Sequence, residues 1–324
     1  MKLKYHYIID TKLLFYSCQQ RGQDPLETFN SMADILYDTH KKGHVYLVAD
    51  IGKSSYRLAI SKYYKGKRRE DRAKQTEEER LKYSKFSEEY VAFVELCKKK
   101  LPVTVIDVHD VEADDTASIL SFRLAKDKNN RIGLITRDKD WLHSVIESPN
   151  VKIISPYYTE DDMRCSWAKD CYNVRSREEF TLKKTLEGDS GDSILHPKWL
   201  GTQKTDLIWE RCLKHKEVTF DILKEETLAW IAEQPNPEKF TVPEKYIEYN
   251  VASTLEEVLE VNYKLAATMT DVKQLTESQQ VEFEEALKRD SHISTIDPIN
   301  DGISIFGRPI VFNEIAKKVF NVSS

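Results

Sequence analysis

Nine acidic side chains occur at spacings that suit the chemistry of hard metal ions. They are Asp10, Asp50, Glu112, Asp114, Asp115, Asp138, Asp140, Asp189 and Asp192. Carboxylates gathered in one place repel one another and hold on to protons unless a cation neutralises them. All-oxygen donors select Mg2+ or Mn2+ over softer metals. Two such ions about 4 Å apart can stabilise both the entering and the departing oxygen of an in-line displacement, and can acidify a bound water. Each group also has a plain structural alternative. Glu112, Asp114 and Asp115 stand where a helix start favours negative charge. Asp138 and Asp140 suit a polar turn. Asp189 and Asp192, in Glu187-Gly188-Asp189-Ser190-Gly191-Asp192, suit a loop, although a spacing of three would set them side by side on one helical turn. Asp10 and Asp50 say little singly. The order of the whole set along the chain is what makes it informative.

Short apolar runs rich in β-branched residues precede most of these acids. Tyr7-Ile8-Ile9 runs into Asp10, His44 to Ala49 into Asp50, Val103 to Ile106 toward Glu112, and Ile132 to Thr136 toward Asp138; Val151 to Ile154 is a fifth run. These read as buried strands. Helical patterns fall at about 26–42, 76–100, 113–127 and 139–147. The alternation predicts an α/β fold, with a mostly parallel central sheet and helices on both faces. Ligands of such sheets bind beyond the carboxyl ends of the strands. The acids would therefore meet at one edge of one sheet.

The bulk composition frames the reading. Of 324 residues, 40% are hydrophobic and 32% charged, which is ordinary for a soluble globular chain. No stretch approaches the roughly 20 apolar residues of a membrane span, and the opening segment, whose short apolar run stops at Asp10, is not expected to be a signal peptide. The five cysteines are Cys18, Cys97, Cys165, Cys171 and Cys212, with no Cys-x-x-Cys pair, so a reducing, cytoplasmic setting is expected. The net charge is −5, yet between Lys53 and Lys74 nine basic residues face only Glu70 and Asp71. Setting the nine candidate acids aside leaves +4, a balance suited to a polyanionic partner.

The order strand-Asp, strand-Asp, Glu-x-Asp-Asp, Asp-x-Asp, Gly-Asp-x-x-Asp resembles that of the 5′ nuclease superfamily. The chain is similar to the bacteriophage 5′ exonuclease/flap endonuclease branch and, more distantly, to the 5′ nuclease domain of bacterial DNA polymerase I. The residues that carry the resemblance are Ala49-Asp50-Ile51-Gly52-Lys53-Ser54, Tyr63-Tyr64-Lys65-Gly66-Lys67-Arg68, Thr76-Glu77-Glu78-Glu79, Val111-Glu112-Ala113-Asp114-Asp115, Asp138-Lys139-Asp140-Trp141 and Gly188-Asp189-Ser190-Gly191-Asp192. They span roughly residues 5 to 205.

The resemblance implies a fold of the 5′ nuclease/PIN-like type and a two-metal phosphodiester hydrolase with Mg2+ as the ion and Mn2+ as a substitute. Asp10, Asp50, Glu112, Asp114 and Asp115 would lie toward the first metal, Asp138 near both, and Asp140, Asp189 and Asp192 toward the second. A helical arch over about 63–90, rich in charge and poor in large apolar residues, is expected to be mobile without DNA and to order around a single 5′ strand. In it Lys65 and Arg68 would contact the scissile phosphate, Tyr64 would stack on a base, and Lys67 would contact DNA. Lys184 would contact a phosphate, and a helix-hairpin with Lys198 and Lys204 would grip duplex DNA. The expected division is a catalytic core over 1–180 and a helical DNA-binding and C-terminal region over 181–324.

Two departures stand out. Thr11-Lys12 follows Asp10 where the family commonly has glycine, and Ser193 to Thr205 keeps only Gly201 and Lys204 of the hairpin pattern, which argues against a bound monovalent ion. Beyond residue 205, helical patterns at about 205–232 and 254–268 and a strand and helix within Ile303 to Val322 are expected to pack on the core. The expected substrate is DNA with a 5′ single-strand flap or a free 5′ end, acted on by a monomer, with a polymerase or a single-strand-binding protein as candidate partner. Three competing readings fit less well. A doubly wound Mg-dependent phosphatase wants Asp-x-Asp after the first strand, where Asp10-Thr11-Lys12 stands. A non-catalytic DNA-binding module would have lost the acids, and a dinucleotide-binding protein would carry Gly-x-Gly-x-x-Gly.

Overall fold

A computed structural model of the protein describes residues 3–19, 43–100, 103–153 and 165–289. The chain groups into two compact units: one comprises Met1–Lys53, Thr76–Ala168 and Met269–Ser324, the other Ser54–Gln75 and Lys169–Thr268. This corrects the simple division at residue 180. The basic stretch after Lys53 belongs with the helical unit, and the chain returns to the first unit at Met269, where the backbone N–H donates to the buried Asp115 carboxylate at 3.0 Å.

The first unit is built on five parallel strands in the order β3-β2-β1-β4-β5. They are β1 (Lys4–Asp10), β2 (His44–Val48), β3 (Thr104–Ile106), β4 (Asn130–Ile135) and β5 (Val151–Ile153). Asp10 pairs with Val48 of β2, and Ile9 with Ile135 of β4. The three central strands thus finish level, and whatever follows them shares one edge. Side chains alternate across a strand. On one face Ile9, Val45 and Leu47 pack with Phe15 and with Tyr90, Phe93, Val94 and Cys97 of the helix Glu77–Lys100. The helix Ala113–Ala125 packs against β1, β2 and β4, and the helix Glu277–Lys288 against β3. Each large apolar side chain sealed in this way contributes about 1.5–3 kcal/mol.

The second unit is helical. Arg177–Glu187 packs on Leu255–Ala266, and Thr202–Cys212 on Phe220–Ala232. Its helices start where Ser176, Thr219 and Thr254 accept an N–H three residues ahead, the usual role of a hydroxyl at a helix start. The single helical pattern expected over 205–232 is two helices. The break contains the exposed run Lys214-His215-Lys216-Glu217, which has no apolar face to bury.

The pattern over 139–147 is a short 3-10 turn, Lys139–Trp141, followed by Leu142–Glu147. The stretch expected to be mobile without DNA is instead helical in this DNA-free structure, as Gly66–Ala73 and the first half of Glu77–Lys100. Local chemistry explains the second: Thr76 and Glu79 cap each other, the Thr76 N–H donating to Oε2 at 2.8 Å and the Glu79 N–H to Oγ1 at 3.3 Å. The expected helix at 26–42 and the elements within 303–322 lie outside the described residues. No helix among the described residues is long and apolar enough to cross a membrane.

Candidate functional site

In the first unit the expected acids gather at the finishing ends of the strands. Asp10 is the last residue of β1, Asp50 lies two residues beyond β2, and Asp138 three beyond β4. Glu112 stands at the N-cap of Ala113–Ala125, with Asp114 in the first turn. The loops are tied together. Gly52 takes φ +88°, and a side chain there would collide with the Asp110 carboxylate, which also accepts the Lys53 N–H at 3.1 Å. Only glycine meets both demands without strain.

Most of these carboxylates have one oxygen pinned by a donor. The Leu13 N–H reaches Asp10 Oδ1 at 3.0 Å, and the Ala113 N–H reaches Asp50 Oδ1 at 2.6 Å. Trp141 Nε1 donates to Asp114 Oδ1 at 2.7 Å, and the Asp140 N–H to Asp138 Oδ1 at 3.0 Å. Such outer contacts fix the orientation of a ligand before an ion arrives. Asp115 has a separate task, because its buried carboxylate holds the Met269 N–H. Lys12 lies over the Tyr90 ring, 5.9 Å from its centroid.

The electrostatics agree with the geometry. Burial pushes the Asp10 carboxyl up to about 7, opposed by the Leu13 N–H and aided by the charges of Asp50 and Asp138. Asp114 is raised well above the ordinary carboxylate range, first by burial and then by the charges of Asp138, Asp140, Asp50 and Glu112. These side chains lie close enough to oppose one another's ionisation. Among the described residues no group of three or more His, Cys, Asp or Glu side chains is placed to hold a metal ion as it stands. The donor chemistry fits a hard divalent cation, which would relieve this repulsion by drawing the oxygens inward.

The second unit holds a mixed cluster. Asp189 folds over its own turn, accepting the Gly191 N–H at 2.8 Å and the Asp192 N–H at 3.1 Å. Asp192 accepts from Tyr64 Oη at 2.9 Å and Arg68 at 3.0 Å, with Lys65 Nζ at 3.8 Å. Lys184 Nζ lies 3.9 Å from Asp189. The Lys65 N–H, on a left-handed backbone at φ 52°, donates to the Asp192 carbonyl at 2.9 Å. Arg68 Nε donates to the Gly191 carbonyl at 2.8 Å. Lys65, Arg68, Lys184, Asp189 and Asp192 therefore do come together. Their charges compensate one another, unlike the all-acidic group in the first unit.

Several expectations need correction. Tyr64 is not presented for stacking on a base: it is 2% exposed, packed with Ile194, Leu265, Leu58, Ile60 and Val261, and its hydroxyl is spent on Asp192. The basic run after Lys53 is less available than its composition suggests. Arg57 is buried, its guanidinium donating to the Leu265 and Ala267 carbonyls, and Arg69 donates to the Tyr64 and Lys62 carbonyls. Lys67 is exposed. Lys198 pairs with Glu244, and Lys204 donates to the Trp199 carbonyl and lies over Phe240, so each already has a local partner. Sequence reasoning missed Trp141 and Asp110. Trp141 directly follows the Asp138-Lys139-Asp140 motif, and an indole N–H next to two acids, needing an acceptor wherever it is buried, was the available signal.

The chain belongs to the family described as 5′-3′ exonuclease, N-terminal resolvase-like domain, whose model matches residues 5–175. Among particular proteins, the flap endonuclease of Escherichia phage T5 is 32% identical over 158 residues. That match takes in 49% of this chain and spans about half, 52%, of that relative's length. Two solved structures share the fold. One is the T5 5′-exonuclease with divalent metal ions (zinc) bound, with a TM-score of 0.65 and 22% identity, covering 89% of this chain and 100% of that one. The other is the bacteriophage T5 flap endonuclease in a pseudo-enzyme-product complex with DNA and metal ions, with a TM-score of 0.61, 24% identity and the same coverages.

Proposed function

We propose that this chain is a structure-selective 5′→3′ exonuclease and flap endonuclease, hydrolysing DNA phosphodiesters, and RNA-primer ends, in replication or repair. The observation that carries the reading is the placement of Asp10, Asp50, Glu112, Asp114 and Asp138 at or just beyond the finishing ends of parallel strands. Asp10, Asp50, Glu112, Asp114, Asp138 and Asp140 would hold Mg2+, with Mn2+ as a substitute. Divalent ions held there would acidify a water and offset charge developing on the phosphodiester oxygens. The pinned oxygens of Asp10, Asp50, Asp114 and Asp138 keep the set oriented.

In the second unit, Lys65 and Arg68 would exchange their contact with Asp192 for a substrate phosphate, neutralising charge as it grows. Asp189 and Asp192, released from those cations, would be available to hold a second ion. Lys67 and Lys184 would add contacts to the nucleic-acid backbone. Cys97, Cys171 and Cys212 are free thiols, in keeping with a reducing cytoplasmic setting. The test is a 5′-flap duplex incubated with Mg2+ and with EDTA, followed by mapping of the product ends. Cleavage near the flap junction with Mg2+ alone is expected; no cleavage of any 5′-ended substrate would overturn the reading.

A further inference from the structure

Two buried side chains from the far C-terminal part of the helical unit hold the turn that carries Asp189 and Asp192. Across that turn the Asp189 N–H donates to the Ile194 carbonyl and the Ile194 N–H returns to the Asp189 carbonyl, both at 2.8 Å. This exchange draws the Asp189 N–H away from the carbonyl of Thr185, its partner had the helix Arg177–Glu187 continued. Thr185 is left among the orphan acceptors that every helix end must satisfy elsewhere. Asn262 supplies the donor: Nδ2 reaches the Thr185 carbonyl at 3.2 Å and the Leu195 carbonyl at 3.0 Å. The Leu195 N–H donates to Tyr246 Oη at 3.0 Å, and that hydroxyl donates to Asn262 Oδ1 at 2.8 Å.

Tyr246 and Asn262 are both fully buried, at 0% exposure. The phenol gives one hydrogen bond and takes one, while the amide uses both protons and its oxygen, so the network is complete. One foot of the turn, Thr185, and the other, Leu195, are thus tied to a single buried amide. A fully satisfied polar network of this kind fixes geometry more firmly than apolar packing does, because any slip leaves a buried group unpaired.

We propose that Tyr246 and Asn262 are positioning residues for the acidic turn, holding Asp189 and Asp192 where the cleavage reaction needs them; the inference rests on the nuclease reading above. The part of the chain beyond residue 205 then has a defined task, which is to fix one of the reaction's acidic elements.

The test removes one oxygen atom. Tyr246→Phe is expected to fold, to bind flap DNA in Ca2+ within about twofold of the parent, and to cleave it in single-turnover Mg2+ assays about 10–100-fold more slowly, the usual effect of losing an outer contact behind a ligand. Amide exchange should quicken from Asp189 to Leu195 and stay unchanged in Phe220–Ala232. Leu223→Ala, a cavity variant at a fully buried site in the same unit, serves as the control; it lowers stability and should leave the cleavage rate within about twofold. Parent-like cleavage with unchanged exchange in Tyr246→Phe, or an equal slowing in Leu223→Ala, overturns the proposal. If the parent protein does not cleave, the nuclease reading fails, and exchange alone decides: faster exchange confined to the turn supports positioning, and unchanged exchange refutes it. Should Tyr246→Phe not fold, Asn262→Asp, which keeps the acceptor and removes the donors to Thr185 and Leu195, is read in the same way.

Discussion

Trp141 donates its indole N–H to Asp114 Oδ1 at 2.7 Å. The donor lies one residue beyond Asp140, so the segment after β4 both contributes acids and orients an acid from another helix. Trp141→Phe keeps the ring and loses the donor. The variant should remain folded while needing more Mg2+ for half-maximal cleavage and losing about 10–100-fold in rate at limiting metal. A Mg2+ titration checks this; an unchanged midpoint would show that the indole only packs.

Asp114 and Asp115 are adjacent in sequence and differ in role. Asp114 feels the charges of four other carboxylates, whereas Asp115 holds the Met269 N–H. Asp114→Asn should lower cleavage by about 100-fold or more. Asp115→Asn keeps an oxygen acceptor for Met269 and should stay within about tenfold of the parent. Asp115→Ala, which lacks the acceptor, should lower the melting temperature. Rates for the three variants under one Mg2+ concentration decide the matter, and equal losses for both Asn variants would make Asp115 a ligand as well.

Acid strength gives a stability test with a definite sign. Asp10 rises from 3.8 to about 7, and Asp114 also lies above its ordinary range. A carboxyl whose folded value is raised binds more protons in the folded chain than in the unfolded one. Its stability is therefore intact below the unfolded value and lost as pH climbs toward the folded value. The EDTA-treated protein should melt at a lower temperature at about pH 8 than at about pH 5, and added Mg2+ should raise the melting temperature more at the higher pH. A metal-free melting temperature that climbs with pH across that window would contradict the desolvated, mutually repelling arrangement.

Tyr64 offers a test of where the phosphate-contact cluster ends. Its hydroxyl donates to Asp192 at 2.9 Å and its ring is buried. Tyr64→Phe and Tyr64→Ala should both leave affinity for single-stranded 5′ flaps within about twofold, whereas a loss of roughly 5–150-fold in Tyr64→Ala alone would show that the ring stacks on a base. Fluorescence anisotropy in Ca2+ with both variants separates these outcomes, provided that folding of Tyr64→Ala is verified by circular dichroism.

Much of the first unit was legible in the sequence because strand ends and acids are local features. An apolar run stopping at Asp10 or shortly before Asp138 marks both the strand and its finishing edge, and a parallel sheet does the rest. What was not legible depended on partners far along the chain. Tyr64 sits in a charge-rich stretch and reads as exposed, yet Ile194, Val261 and Leu265 cover it. Asp115 looks like one more ligand until Met269 appears beside it. The boundary at residue 180 failed for the same reason, since the segments that alternate between units carry no Pro- or Gly-rich linker to announce the crossing. Asn262 and Tyr246 had no signal at all, because a buried Asn within an amphipathic helix acquires meaning only from the carbonyls it meets.

Nuclease activity in this chain requires that the carboxylates at the finishing edge of the sheet hold divalent ions. Electron paramagnetic resonance of Mn2+ titrated into the DNA-free protein measures that directly, with Asp10→Asn and Asp114→Asn alongside. The parent protein is expected to sequester Mn2+, Mg2+ is expected to displace it, and each variant should bind about tenfold or more weakly. Mn2+ binding by Asp114→Asn equal to that of the parent, or none by the parent at millimolar ion, would contradict it.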